Sequence, residues 1–112
     1  MYYSLLLNPA LHYHKLKVPK PLSNPASALI RDTIVHHDVT QVEAAKAMKI
    51  SQAQLSDVIR QKKGVSANLA LRVQFCFGVP GDLLIRLQAQ FDFQKAFHAK
   101  DRDIQSEVRA IA

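Results

Sequence analysis

An all-α fold is the expectation for this chain of 112 residues, and three observations carry it. Glycine is scarce, at three in the chain, and no long run of strand-forming residues occurs. From Asn24 onward, helix-capping signatures recur at short intervals. With 48% hydrophobic and 21% charged residues the composition is that of a soluble globular protein, and the length suits one domain with one modest core.

Residues 1–23 stand apart as an N-terminal extension. "NPALHYHKLKVPKPLSNP" is rich in proline and basic residues and has no helical period. Leu5 and Leu7, Leu11 and Tyr13, and Leu16 and Val18 mark short extended runs. One reading is a β-hairpin turning near Asn8-Pro9; the other is a mobile arm. Lys15, Lys17 and Lys20 suit a phosphate backbone or, equally, a solvated arm.

The first helix begins at Asn24-Pro25, an N-cap residue followed by proline at the first helical position. It sets Leu29, Ile30, Ile34 and Val35 on one side and ends near His37-Asp38. Thr40-Gln41-Val42-Glu43 is a capping box, in which Thr and Glu side chains each satisfy an orphan helix N–H. Ser51-Gln52-Ala53-Gln54 is a second one, eleven residues later.

The second box decides how "KAMKISQAQLSDVIR" folds. A serine inside a continuous helix is weakly unfavourable and has no use for Gln54 three residues on. A serine that starts a new helix contributes about 1 kcal/mol. The chain is therefore expected to bend at Met48-Lys49-Ile50-Ser51, with Lys49 left-handed at a cost of about 1–2 kcal/mol. Burial of Met48, Ile50 and Leu55 around the corner offsets that cost.

Ser66 caps the fourth helix, with Leu69, Leu71, Val73, Phe75 and Phe77 as its apolar positions and Gly78 and Pro80 ending it. The last helix starts near Pro80-Gly81-Asp82, with Leu84, Leu87, Phe91 and Ala96 at helical spacing. Ile104, Val108 and Ile111 form a shorter stripe, reached with or without a break near Asp101. These elements define a domain over 24–99 and a helical tail over 100–112.

Fifteen Lys+Arg against nine Asp+Glu give a formal charge of +6. A small domain so charged suits nucleic acid or an acidic surface, or is simply kept soluble by its charge. The single cysteine, Cys76, has no intrachain partner and is expected to pack as a small apolar residue. The opening "MYYSLLLNPAL" lacks the basic region of a signal peptide, and no run approaches the ~20 apolar residues of a membrane span. A cytoplasmic location is expected. His12, His14, His36 and His37 have no cysteine or carboxylate cluster at ligand spacing, so no metal is expected. Neither a glycine-framed catalytic serine nor a phosphate-binding loop occurs, so neither an enzyme nor a cofactor is expected.

Thr40 to Arg60 has the spacing of a helix-turn-helix. Ala45 sits where the two helices cross, and Leu55, Val58 and Ile59 turn the second helix to the core. Gln52, Ala53, Gln54, Ser56, Asp57 and Arg60 then face outward. Glutamine can bond bidentately to adenine in the major groove, and the Ala53 methyl can touch thymine. Arg60, Lys62 and Lys63, with Lys46 and Lys49 nearby, suit phosphates, and Ser51 is counted with the DNA-binding candidates. Asp57 is discordant unless it pairs with Arg60 or accepts a bond from cytosine N4.

From about Ser23 to Lys95 the chain resembles the HigA-type antitoxins, a branch of the phage-repressor-like (XRE) helix-turn-helix regulators. "NPASALIRDTI" is similar to the family's opening helix, "TQVEAAKAMKISQAQLSDVIRQKKGVSANLALRV" to its repressor core, and "FGVPGDLLIRLQAQFDFQKA" to its closing helix. In the last, a Leu-Gln-x-x-x-Asp pattern falls on Leu87-Gln88-Ala89-Gln90-Phe91-Asp92. The resemblance implies a five-helix phage-repressor-like domain that forms a homodimer on a palindromic DNA operator. It also implies neutralisation of a RelE-like ribonuclease toxin and repression of the chain's own promoter.

Gln41 matches the family's backbone-clamping position. Gln52, Ala53 and Gln54 match the first turns of the recognition helix, and Ser56 and Arg60 its later outward positions. Lys49 stands for the usual turn glycine, Asn24 for a common histidine and Leu84 for a frequent tryptophan, so operator sequence does not transfer. An orphan regulator without a toxin, and a protein-interaction module that no longer reads DNA, are the alternatives.

Overall fold

A computed structural model describes residues 18–111. Among them are five helices: α1 (Pro25–His36), α2 (Gln41–Met48), α3 (Gln52–Ile59), α4 (Ala67–Phe77) and α5 (Gly81–Glu107). No strand occurs among the described residues, which take in 18–23 of the N-terminal extension; the rest of the hairpin-or-arm expectation falls on residues outside them.

Residues 21–92 form one compact unit, holding α1 to α4 and the first part of α5. Its core draws on every helix: Ala26, Ile30 and Ile34, then Ala44, Ala45 and Met48, then Leu55 and Val58, then Leu69, Ala70 and Val73, and Leu84. Small side chains on α2 let the neighbouring helices approach, and Leu55, Val73 and Leu84 fill the space between them.

Caps set the helix boundaries. Asn24 accepts from the Ala26 N–H, Thr40 from Glu43, Ser51 from Gln54 and Ser66 from Leu69. At the other ends, Asp38, Lys49, Gln61 and Gly78 take left-handed backbone angles, φ 55°, 59°, 63° and 77°. After α1 and α2 the next residue, Val39 or Ile50, returns an N–H to a carbonyl of the last turn and packs on the core. That hydrophobic closure holds a non-glycine residue where glycine is the cheaper choice.

Cys76, expected to pack as a small apolar residue, and several large apolar side chains lie outside the core. Val35 is 71% exposed, because the α1 stripe runs through Ala26, Ile30, Thr33 and Ile34 and the next position turns away. On α4 the apolar residues alternate, and a period of two on a helix divides them between opposite faces. Leu69 and Val73 are buried, whereas Leu71 and Phe75 are exposed by 51% and 82%. Cys76 is also exposed, since Phe77 and Val79 take the places against the core; partial desolvation raises its thiol pKa.

The second unit, as far as described, comprises residues 18–20 and 93–111. Here α5 continues through Asp101 without a break and ends at Glu107. His98 Nε2 lies 2.7 Å from the Val18 carbonyl oxygen. Ala96 and the C-terminal stripe of Ile104, Val108 and Ile111 are all exposed.

Candidate nucleic-acid interface

Two capped helices meet at a corner. In α2, Thr40 Oγ1 accepts from the Glu43 N–H at 3.1 Å while Glu43 Oε1 accepts from the Thr40 N–H at 3.1 Å. In α3, Ser51 Oγ accepts from the Gln54 N–H at 3.0 Å and Gln54 Oε1 from the Ser51 N–H at 2.9 Å. Both boxes are complete, as the sequence predicts.

Between them, Lys49 adopts φ 59° and ψ 41°, so the chain bends at the expected residue. Lys49 N–H donates to Lys46 O at 3.2 Å and Ile50 N–H to Ala45 O at 3.0 Å. Behind the corner, Ala45, Met48, Leu55 and Val58 are buried and Ile50 is half-buried, which locks the angle between the two helices.

The sequence-predicted residues divide into groups. Lys49, Ser51, Gln52, Ala53 and Gln54 are consecutive apart from Ile50, and all five are exposed. Arg60, Lys62 and Lys63 are exposed at the far end of α3, while Gln41 at the start of α2 and Ser56 are half-buried. Gln54 already spends its carbonyl on the cap, so its amide nitrogen is what remains for a base edge. Gln52 has no such duty and keeps both ends for a bidentate bond, the arrangement adenine requires.

Asp57 does not pair with Arg60. Its carboxylate lies 4.0 Å from Lys63 Nζ, and its carbonyl accepts the Lys62 and Lys63 N–H groups at 2.8 and 3.2 Å. The discordant charge is thus answered by a lysine of the following turn, which softens its repulsion of phosphate.

Three residues that set the geometry were not among the DNA-contact candidates named from the sequence. Arg72 Nη1 donates to the Met48 carbonyl at 2.8 Å and its Nε to Asn68 Oδ1 at 2.7 Å. Gln61 Oε1 accepts the Asn24 N–H at 2.9 Å, tying the end of α3 to the start of α1. Gln88 Oε1 accepts from Asn24 Nδ2 and from the Val65 N–H, both at 2.7 Å, and its Nε2 donates to Asp92 Oδ1 at 2.9 Å. For Arg72 the available signal was its isolation as the only charged residue of α4. For Gln88 and Asp92 it was the Leu-Gln-x-x-x-Asp pattern, which marks both residues but not their partners.

Virulence-associated protein A' of Dichelobacter nodosus is 30% identical over 80 residues, 69% of this chain and 70% of that protein. The Pseudomonas aeruginosa antitoxin HigA, solved with the higBA promoter, matches with a TM-score of 0.74 at 23% identity, over 82% of this chain and 100% of its own. A second Pseudomonas aeruginosa protein, in complex with 18-bp operator DNA, matches with a TM-score of 0.70 at 23% identity, over 81% of this chain and 96% of its own. At those identities the structural likeness is one of fold. No family model matches the chain.

Proposed function

This chain belongs to the family of virulence-associated protein A' and has the helix-turn-helix fold of the HigA antitoxins, and from that premise we propose that it is a sequence-specific DNA-binding transcriptional regulator. One observation carries the reading. The first turn of α3 presents Gln52, Ala53 and Gln54 to solvent while its capping box and the buried Leu55 and Val58 hold it rigid.

In this reading α3 enters the major groove and Gln52 bonds a base pair bidentately, with Ala53 against a thymine methyl. Gln41, Lys49, Ser51, Ser56, Arg60, Lys62 and Lys63 hold the sugar-phosphate backbone on either side. The chain acts as a homodimer on a palindromic operator whose half-sites lie roughly 34 Å apart. It is the antitoxin of a toxin–antitoxin module, represses its own promoter and neutralises a RelE-like ribonuclease. The operator-bound relatives of the same fold support the DNA part of this reading.

The test is binding to the gene's own upstream DNA and to a shuffled duplex at two salt concentrations. Preference for the native duplex that survives the higher salt is the expected result. Equal and salt-labile binding to both reduces the interaction to bulk charge and defeats the reading. Co-expression with the neighbouring reading frame tests the antitoxin part: rescue of growth is expected, and continued toxicity contradicts it.

A second reading, a protein-interaction module without DNA specificity, is favoured by Leu71 and Phe75, exposed one turn apart on α4. Unchanged DNA mobility at low salt alongside tight binding to a protein would select it.

A further inference from the structure

We propose that Arg72 of α4 is a positioning residue for DNA recognition, which aims α3 by clamping the Met48–Lys49 peptide. The proposal rests on the DNA-binding reading and assigns Arg72 no contact with DNA.

Met48 is the last residue of α2, and its carbonyl immediately precedes the left-handed Lys49. Carbonyls at a helix end lack intrahelical donors. Those of Ala45 and Lys46 are satisfied by the Ile50 and Lys49 N–H groups. That of Met48 is satisfied from another helix, by Arg72 Nη1 at 2.8 Å. A guanidinium there also complements the negative end of the α2 dipole.

The clamp is itself braced. Arg72 Nε is held by Asn68 Oδ1 at 2.7 Å, so the planar guanidinium is oriented from two sides. Beneath it, Leu69, Ala70 and Val73 anchor α4 in the core. Because the peptide group is planar, fixing the Met48 carbonyl fixes the plane from which the Lys49 φ angle is measured. A glycine at this corner reaches the left-handed region readily; a lysine has to be held there.

Two residues beyond Lys49, Ser51 starts α3, so a rotation at the corner is carried directly to Gln52 and Gln54. Base-edge bonds demand placement to about 0.5 Å, whereas phosphate attraction is tolerant of position. Loosening the corner therefore removes discrimination between sequences before it removes bulk affinity. Direct phosphate binding is a different role, and Arg72 is half-buried with two donor groups already committed within the protein.

The test uses the full chain with Arg72→Gln and Arg72→Lys, bound to the native upstream duplex and to its shuffled counterpart at two salt concentrations. Amide hydrogen exchange is read on the DNA-free proteins. Arg72→Gln should lower the native-over-shuffled preference about tenfold and leave the salt dependence on shuffled DNA unchanged. Arg72→Lys, whose ammonium can still reach the Met48 carbonyl, should recover most of that preference. In the free protein, protection of the Lys49 and Ile50 amides should fall about tenfold while that of Ile34 in α1 holds.

Full preference in Arg72→Gln overturns the proposal. So does an equal loss on both duplexes with a salt slope reduced by about 0.9, the signature of a lost phosphate contact. If Arg72→Gln fails to fold, Asn68→Ala releases the exposed side of the clamp and should show the same pattern at about threefold amplitude; no change in it overturns the proposal. Absence of any native preference in the unsubstituted chain defeats the DNA-binding reading itself. The exchange measurement then separately decides whether Arg72 holds the corner.

Discussion

Asn24 Nδ2 donates to Gln88 Oε1 at 2.7 Å, joining the residue that caps α1 to one in the second turn of α5, 64 positions away. Asn24 is 2% and Gln88 8% exposed, so neither can exchange its partner for water. The same Asn24 side chain caps α1 through Oδ1, and the same Gln88 oxygen receives the Val65 N–H. A short polar chain links the start of α1, the loop after α3 and α5.

Gln88→Ala is expected to destabilise the unit by about 2–4 kcal/mol, because it strands two buried donors at once. Urea unfolding measures this directly. A loss below about 1 kcal/mol would show that water replaces the carboxamide.

Gly64 sits against this network. A Cβ built there falls 2.9 Å from Gln88 Nε2 and 3.0 Å from its Cδ, closer than carbon atoms settle. Gly64→Ala should therefore cost about 1–2 kcal/mol by displacing the Gln88 amide from Asp92. In Gln88→Ala, where the obstacle is gone, the same substitution should be nearly neutral. Equal costs in both backgrounds would contradict the contact.

Lys49→Gly separates stability from binding. Relief of the left-handed strain should stabilise the chain by about 1 kcal/mol. Affinity for native and shuffled DNA should fall together, with a salt slope smaller by about 0.9, as one phosphate contact is lost. A fall in stability would mean that the lysine stem packs on the corner.

Ser51→Ala breaks one half of the α3 capping box and should cost about 1 kcal/mol in thermal or urea unfolding. Gln54→Ala removes the other half and should also release the Ser51 N–H. The double substitution should cost less than the two single losses added, since the bonds are reciprocal.

Local chemistry made the helix boundaries legible. Asn24-Pro25, the Thr40–Glu43 and Ser51–Gln54 pairs, Ser66 and Gly78 each act within four residues, and all five mark a helix end. The bend at Lys49 could be read without a glycine because a capping box follows it. Asp38 precedes the Thr40–Glu43 box by the same two residues and takes the same conformation, whereas Gln61 takes it without such a flag. Leu71 and Phe75 look like core by composition, and the helical period alone tells them from Leu69 and Val73. The Arg72 and Gln88 contacts span 24 and 64 positions, and no local rule reaches that far. For the proposed interface, sequence named the exposed residues of α3 but not that Gln54, unlike Gln52, spends its carbonyl on the cap.

In the proposed function the first turn of α3 reads bases, and Gln52→Ala removes the side chain assigned to that contact. Binding of the variant to the native upstream duplex and to the shuffled one is compared at a single salt concentration. A loss of about 1–3 kcal/mol on the native duplex, with none on the shuffled one, is the predicted result. An equal loss on both, or none on either, would contradict the assignment of Gln52 to a base edge.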